Sequence, residues 1–175
     1  MKVELLPLAG ALMLTPRVFT DERGSFRELF SFDRYREYGI RDAFVQDNSS
    51  LSRRNVLRGL HGDARMAKLV SVVRGSAYDV IVDARNGSAT YGRWHAAALT
   101  AANARQIYLP AGFLHGFLAL EDETILWYKQ SAAYDPRSET GVAWDDPDLG
   151  IEWPLGDAAP ILSPRDAANP PFRSA

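Results

Sequence analysis

The chain reads as an all-β protein, an antiparallel sandwich or barrel, on three observations. Short β-branched and aromatic runs recur along it, turn signals separate them, and a single stretch carries helical spacing. In chain order, the segment 1–19, "MKVELLPLAGALMLTPRVF", is strand-like sequence broken by prolines. "FSFDRYREYGI" sets Phe32, Tyr35 and Tyr38 at helical spacing and stops at Gly39, so a short helix is expected there. "AKLVSVVRGSAYDVIVDAR" holds two strand runs separated by Arg74-Gly75-Ser76. In the second run Tyr78, Val80 and Val82 face one way, and Asp79, Ile81 and Asp83 the other. Asn86-Gly87 marks a tight turn. "ARQIYLPAG" and "ETILWYKQS" are further strands, and "LPAGFLHGF" is a turn that enters one. The closing stretch "DAAPILSPRDAANPPFRSA", rich in Pro and Ala, is expected to wrap the surface without supplying a core element. No repeat or composition break divides the chain. A single domain over 1–175 is therefore expected, with a strand segment at 1–19, a barrel over about 20–155 and a wrapping tail over about 156–175.

At 175 residues the chain is long enough for one substantial core. Its 46% hydrophobic and 24% charged residues are ordinary globular values, and a net charge of −2 favours neither nucleic acid nor a membrane surface as partner. An anion site would have to come from local clustering. The absence of cysteine excludes disulfides, zinc–thiolate sites and thiol nucleophiles, and fits a reducing cytosol. A cleaved leader is not expected: Glu4 and two prolines interrupt the first residues, and the apolar run Leu8–Leu14 is short. No run approaches the ~18 apolar residues that would cross a bilayer.

The local clustering exists in "NVLRGLHGDARMAKLV", which carries Arg58, His61, Arg65 and Lys68. Spacing alone leaves four readings open: a metal site, an anion site, a catalytic base with its binding partners, or a solvated loop. His61, His95 and His115 are all the histidines. A metal held by His61 and His115 would need a further ligand, yet the residue two after His61 is Asp63 rather than a second histidine. His95, in "YGRWHAA", reads as an exposed or half-buried strand residue. In a cavity without metal, a histidine suits proton transfer at neutral pH. Arg58 and Lys68 would attract an anionic substrate and stabilise developing negative charge, provided they share a face with His61.

Further motifs bear on that choice. Pro110, Gly112 and His115 form P-x-G-x-x-H, which resembles the second motif of the cupin superfamily, and "GLHG" lies where the first would be. "DERGSFRELF", "FVQDNSSLSRRNVLRGLH", "AKLVSVVRGSAYDVIVDAR", "LPAGFLHGF", "WYKQSAAYDPRSETGVAWDDPDLGIEWP" and "ILSPRD" follow in this order. Together, over about residues 16–167, they resemble the dTDP-4-dehydrorhamnose 3,5-epimerase family. The resemblance implies a cupin-type jelly-roll barrel of antiparallel strands with a few short helices. It also implies a cofactor-independent, metal-free isomerase that inverts C3 and/or C5 of a nucleotide-linked 4-keto-6-deoxy sugar through an enolate. The implied conversion is dTDP-4-dehydro-6-deoxy-D-glucose to dTDP-4-dehydro-L-rhamnose, in deoxysugar and polysaccharide biosynthesis.

By the same resemblance His61 is the base, Asp166 its carboxylate partner and Tyr128 the proton donor. Lys68 matches the lysine near the keto oxygen, and Arg58 and His115 match substrate-binding positions. Arg23, Glu28, Gln46 and Asn48 match residues at the nucleotide end, Tyr134 the aromatic that stacks on the pyrimidine, and Glu139 and Arg165 further binding positions. A cytoplasmic homodimer with exchanged N-terminal strands is implied, with neither nucleic acid nor membrane as partner. Alternatives within reach of the same residues are a mono-epimerase acting on another sugar (a GDP-linked heptose included), a non-catalytic cupin binding a nucleotide sugar, and a metal-dependent cupin. One stretch departs from the pattern: "GDARMA", between His61 and Lys68, is shorter than the family's by about three residues, which changes a loop at the mouth of the site. Arg65, within it, receives no role.

Overall fold

The computed structural model describes residues 1–174. Among them the chain forms β1 (Lys2–Leu5), β2 (Leu12–Thr15), β3 (Val18–Asp21), β4 (Gly24–Arg27), helix α1 (Phe32–Glu37), β5 (Gln46–Ser52), β6 (Leu57–Gly62) and β7 (Lys68–Arg74). There follow β8 (Ser76–Asp83), β9 (Trp94–Thr100), β10 (Gln106–Leu109), β11 (Phe113–Ala119), β12 (Thr124–Gln130), β13 (Thr140–Gly141) and two 3-10 turns, Asp166–Ala168 and Phe172–Ser174. No helix among the described residues is long and apolar enough to cross a membrane.

Two antiparallel sheets face each other. One has six strands in the order β1-β2-β10-β7-β12-β5, the other five in the order β13-β6-β11-β8-β9. This is the predicted jelly-roll barrel. The chain passes from the first sheet to the second at the predicted Arg74-Gly75-Ser76 turn. β3 and β4 pair only with each other and stand out as a separate ribbon. β1 pairs with β2 of its own chain and forms one edge of the six-stranded sheet.

The interior between the sheets is filled by Val70, Val72, Ile81, Ile107, Phe113, Phe117 and Leu126, all buried. Burying one such side chain contributes about 1.5–3 kcal/mol. The alternation read from β8 holds, but both of its faces are covered. Ile81 and Asp79 point inward, while Val80 and Val82 pack outward against Leu60, Leu114, Val142, Leu149 and Phe172. That outer layer corrects the expectation for the tail. An apolar sheet face has to be covered, and the wrapping segment covers it by burying Phe172, whose backbone N–H donates to Asp146 Oδ2 at 2.8 Å.

The predicted helix is present, and the backbone turns out of it at Gly39 with φ 91°. Only Tyr35 of its aromatic spacing is buried; Phe32 and Tyr38 stay exposed. Tyr35 Oη donates to Gln106 Oε1 at 2.6 Å, so the helix is anchored to β10 through one side chain. Asn86-Gly87 forms a turn, as expected, closed by Ser88 N–H donating to Arg85 O at 3.0 Å.

Candidate active site

A cleft of about 530 Å³ opens between the sheets. Its first wall is the five-stranded sheet. Arg58 and His61 both lie on β6, three residues apart, and simple alternation would turn them to opposite faces. A register shift removes that conflict. His61 lies opposite His115 and Arg58 opposite Phe117, so β6 spends one more residue than β11 over this stretch. The extra residue falls within Gly59-Leu60. Gly59 has φ 122°, and a Cβ on it would lie 2.6 Å from Gly116 Cα and 2.7 Å from His115 O. Only glycine fits there. The bulge gathers Arg58 and His61 beside His115 and Phe117, and all four line the cleft.

The second wall is the six-stranded sheet, where unbroken register over Leu126–Gln130 does the same work. Gln130 lies opposite Lys68 on β7 and Gln46 on β5, Tyr128 opposite Asn48, and Leu126 opposite Ser50. Residues two apart on a strand share a face, so Lys68, Tyr128, Gln130, Gln46, Asn48 and Ser50 all reach the cleft. A relay of side-chain amides runs along its rim. Tyr134 N–H donates to Gln46 Oε1, Gln46 Nε2 to Asn48 Oδ1, and Asn48 Nδ2 to Gln130 Oε1, each at 2.9 Å.

The third side belongs to the wrapping segment. Its Ile161 N–H donates to Asn55 O at 2.8 Å and its Ile161 O accepts Leu57 N–H at 3.0 Å, which lays the tail along β6. The following 3-10 turn brings in Asp166, whose N–H donates to Ser163 Oγ at 3.0 Å. Arg165 Nη1 pairs with Glu139 Oε2 at 2.5 Å and reaches Tyr134 Oη at 3.3 Å, closing the end where Tyr134 sits.

Two histidine–carboxylate pairs face the cavity. His61 Nε2 lies 2.5 Å from Asp166 Oδ1, and His115 Nε2 lies 2.8 Å from Asp79 Oδ2. In the His61 pair the carboxylate accepts Nε2–H, which leaves Nδ1 of the neutral ring as a free acceptor. Burial pushes the His61 imidazole below its usual 6.5, and Lys68 adds to this, while Asp166 and Glu139 pull the other way. The ring is therefore neutral, and able to take a proton, at neutral pH. Burial lowers the Lys68 ammonium as well, against the pull of Glu139, Asp79 and Asp63. Tyr128 moves in the opposite sense. Burial, helped by Glu139, raises its phenol and keeps the proton on, while Arg58 pulls it down. A proton acceptor, a protonated donor, the Arg58 guanidinium and the Lys68 amino group thus converge on one cleft.

Of the residues picked out from the sequence, His61, Tyr128, Asp166, Gln46, Asn48, Arg58, Lys68, His115, Tyr134, Glu139 and Arg165 all line this cleft. Arg23 and Glu28 do not. Arg23 is clasped by Asp21 at the tip of the β3–β4 ribbon, and Glu28 is paired with Arg34 of α1. The reason is that the ribbon joins neither sheet. His95 lies half-buried on β9 outside the cleft, as expected, and burial lowers its imidazole. Sequence reading missed Ser50, Phe117, Gln130 and Asp79. The first three continue period-two rows from Asn48, His115 and Tyr128, so alternation would have found them. Among the described residues no three His, Asp or Glu side chains are grouped to hold a metal ion.

A family model described as dTDP-4-dehydrorhamnose 3,5-epimerase matches residues 5–174. A dTDP-4-dehydrorhamnose 3,5-epimerase of Methanothermobacter thermautotrophicus is 47% identical over 169 residues, covering 95% of this chain and 91% of its own. The structure of a dTDP-6-deoxy-D-glucose-3,5-epimerase from Legionella pneumophila, in complex with dTDP-4-keto-L-rhamnose, superposes with a TM-score of 0.94 at 42% identity, over 98% of this chain and 93% of that one. A 4-keto-6-deoxy sugar epimerase from the novobiocin biosynthetic gene cluster of Streptomyces spheroides gives a TM-score of 0.95 at 41% identity, over 100% of this chain and 89% of that one.

Proposed function

The chain belongs to the dTDP-4-dehydrorhamnose 3,5-epimerase family, and from that premise we propose that it is an isomerase that epimerises a dTDP-linked 4-keto-6-deoxy sugar at C3 and C5 in deoxysugar biosynthesis. The observation that carries this is the placement of His61 and Tyr128 on opposite walls of one cleft, His61 on β6 of the five-stranded sheet and Tyr128 on β12 of the six-stranded sheet. Inverting a carbon requires a proton to leave one face of the ring and another to arrive on the opposite face. A sugar lying between the walls offers one face to each.

The C4 carbonyl acidifies the protons on C3 and C5. His61 Nδ1 takes one, and Asp166 stabilises the imidazolium that forms. The electron pair moves onto the C4 oxygen as an enolate, which Lys68 and Arg58 stabilise by charge. The enolate collapses, and the Tyr128 hydroxyl delivers a proton to the far side of the same carbon. Arg58 is held for this by Nε donating to Ser52 Oγ at 3.2 Å and Nη2 to Leu51 O at 3.3 Å, with the rest of its fork left for the substrate. Gln46, Asn48, Tyr134, Glu139 and Arg165 take the nucleotide end, with Tyr134, 47% exposed, able to stack on a base.

Arg23 and Glu28 fit the same reading if the protein is a homodimer. The β3–β4 ribbon beside them is exposed except at Arg27 and presents Phe19 and Phe26 at 51% and 70% exposure, the kind of apolar projection that seats on a second copy. From there Arg23 would meet the nucleotide in the partner's cleft. The open edge at β1 gives the N-terminal segment a route to exchange. The absence of cysteine from the sequence supports a cytoplasmic setting.

The test is incubation with dTDP-4-keto-6-deoxyglucose in deuterium oxide, followed by NMR. Deuterium at both C3 and C5 together with the inverted product is expected. Exchange at one carbon only would make the protein a mono-epimerase, and no exchange with this or any related nucleotide keto sugar would sink the proposal.

A further inference from the structure

The short connection "GDARMA" between His61 and Lys68 is the bed on which the segment 131–140 lies, and that segment carries Tyr134 and Glu139. The two meet at three points. At one end Ala67 N–H donates to Ser131 Oγ at 2.8 Å, and Ser131 N–H returns a bond to Ala67 O at 3.0 Å. At the other, Thr140 pairs with Gly62 as β13 joins β6. Between them stands a side-chain clasp. Asp63, 4% exposed, accepts Arg65 N–H at 2.8 Å, Arg65 Nε at 3.1 Å and Arg65 Nη2 at 2.8 Å. The same carboxylate accepts Ser138 Oγ–H at 2.7 Å, and Arg65 Nη2 also reaches Ser138 Oγ at 2.5 Å.

Tyr134 and Glu139 have few other restraints. Tyr134 is fixed by its N–H to Gln46 and by weak contacts of its hydroxyl with Glu139 and Arg165 at 3.4 and 3.3 Å. Glu139 directly follows Ser138, so the clasp fixes the backbone from which Glu139 reaches Arg165. Without the clasp, the middle of this ten-residue excursion would be held to the barrel by the Tyr134 N–H bond to Gln46 and to the tail by the contacts of Arg165. A binding loop that must be ordered on ligand association loses affinity by the cost of ordering it.

We infer that Arg65, Asp63 and Ser138 are positioning residues that hold Tyr134 and Glu139 over the nucleotide end of the cleft, and so set affinity for the nucleoside diphosphate without entering the proton-transfer chemistry. This rests on the functional reading above. None of the three lines the cleft, and sheet register places His61, Tyr128 and Lys68; the clasp bears on them only through the charges of Asp63 and Glu139.

Two substitutions remove the clasp by different routes. Arg65→Ala removes a charge, whereas Ser138→Ala leaves the charge unchanged, so an effect shared by both is positional. Each is expected to raise KM for the nucleotide sugar and Kd for dTDP alone, by calorimetry, about five- to twentyfold, with kcat within about twofold of the parent. Ser138→Thr, which keeps the hydroxyl, is expected to restore both constants. Unchanged KM and Kd in Ser138→Ala would overturn the inference. So would a fall in kcat at constant KM, or a lowered melting temperature with unaltered binding. The unsubstituted protein is the control: if it neither turns over the keto sugar nor binds dTDP, the functional reading itself has failed, and that result is distinct from a normal enzyme with insensitive variants.

Discussion

The walls of the cleft and the segment that wraps it place their functional groups by different physical means. On the walls, Lys68, Tyr128, Gln130 and His115 are set by strand register, a ladder in which every backbone bond supports the next. On the segment 131–140 and the tail, which together wrap the cleft, Tyr134, Glu139, Arg165 and Asp166 are set by single side-chain bonds, such as Asp166 N–H to Ser163 Oγ. Register is cooperative: it holds or fails as a unit. The wrap can be adjusted one contact at a time. On the proposed reading, His61 and Tyr128, which transfer the protons, sit on the walls and much of the nucleotide recognition on the wrap, and proton transfer tolerates less misplacement than binding does.

The largest expected effect is on the wall. His61→Ala should lower kcat by about 10³–10⁴-fold while Kd for dTDP, read by calorimetry, stays within about twofold. Altered nucleotide affinity of similar size would mean that the walls and the wrap are not separable.

Two glycine substitutions sharpen the contrast. In Gly59→Ala the new Cβ meets backbone of β11 at 2.6 and 2.7 Å, at a φ of 122°. That position has no room to yield, so a loss of about 3 kcal/mol or more in denaturant unfolding is expected. In Gly141→Ala the Cβ would fall 2.2 Å from Asn169 Oδ1, a side chain of the wrap three residues beyond Asp166. The tail is expected to shift and the barrel to remain. Activity should fall about three- to tenfold, with unfolding free energy changed by less than about 1 kcal/mol.

Asp166→Asn lies between these extremes, at about 10²-fold in kcat/KM, and it carries a pH signature. The His61 imidazole is held below its usual 6.5 by burial, against the upward pull of Asp166. The acid limb of kcat/KM in the parent should therefore fall below pH 6.5, and removing the carboxylate should move it lower still. The same group links pH to stability. Between its depressed value and 6.5 the folded chain binds fewer protons than the unfolded chain. This contribution to stability is complete above about pH 6.5 and is lost as pH falls through that window. His61→Ala should flatten that part of the stability profile, by the smallest margin of the set.

What could be read from the sequence follows the same division. Strand runs, the break between them at Gly75 and the helix ending before Gly39 were legible because period and turn chemistry are local. Ser50 and Gln130 were legible in principle, by counting in twos from Asn48 and Tyr128. Arg58 beside His61 was not, because alternation sets them apart until the Gly59 bulge restores them to one face. Nor was the buried role of Phe172, whose partners Val80 and Val82 stand some ninety positions earlier in the chain. Asp166, Gln46, Asn48, Tyr134, Glu139 and Arg165 were picked out as cleft residues through family resemblance alone. The partner of Arg65, Ser138, lies 73 positions away, beyond the reach of any local pattern.

The central claim is that the two walls perform the two halves of the inversion, and Tyr128→Phe tests it most directly. The variant, given the dTDP-4-keto sugar in deuterium oxide, should still exchange its ring protons at a measurable rate through His61 while forming inverted product at least about 10²-fold more slowly. Inversion at the parent rate, or loss of exchange and inversion together, would contradict it.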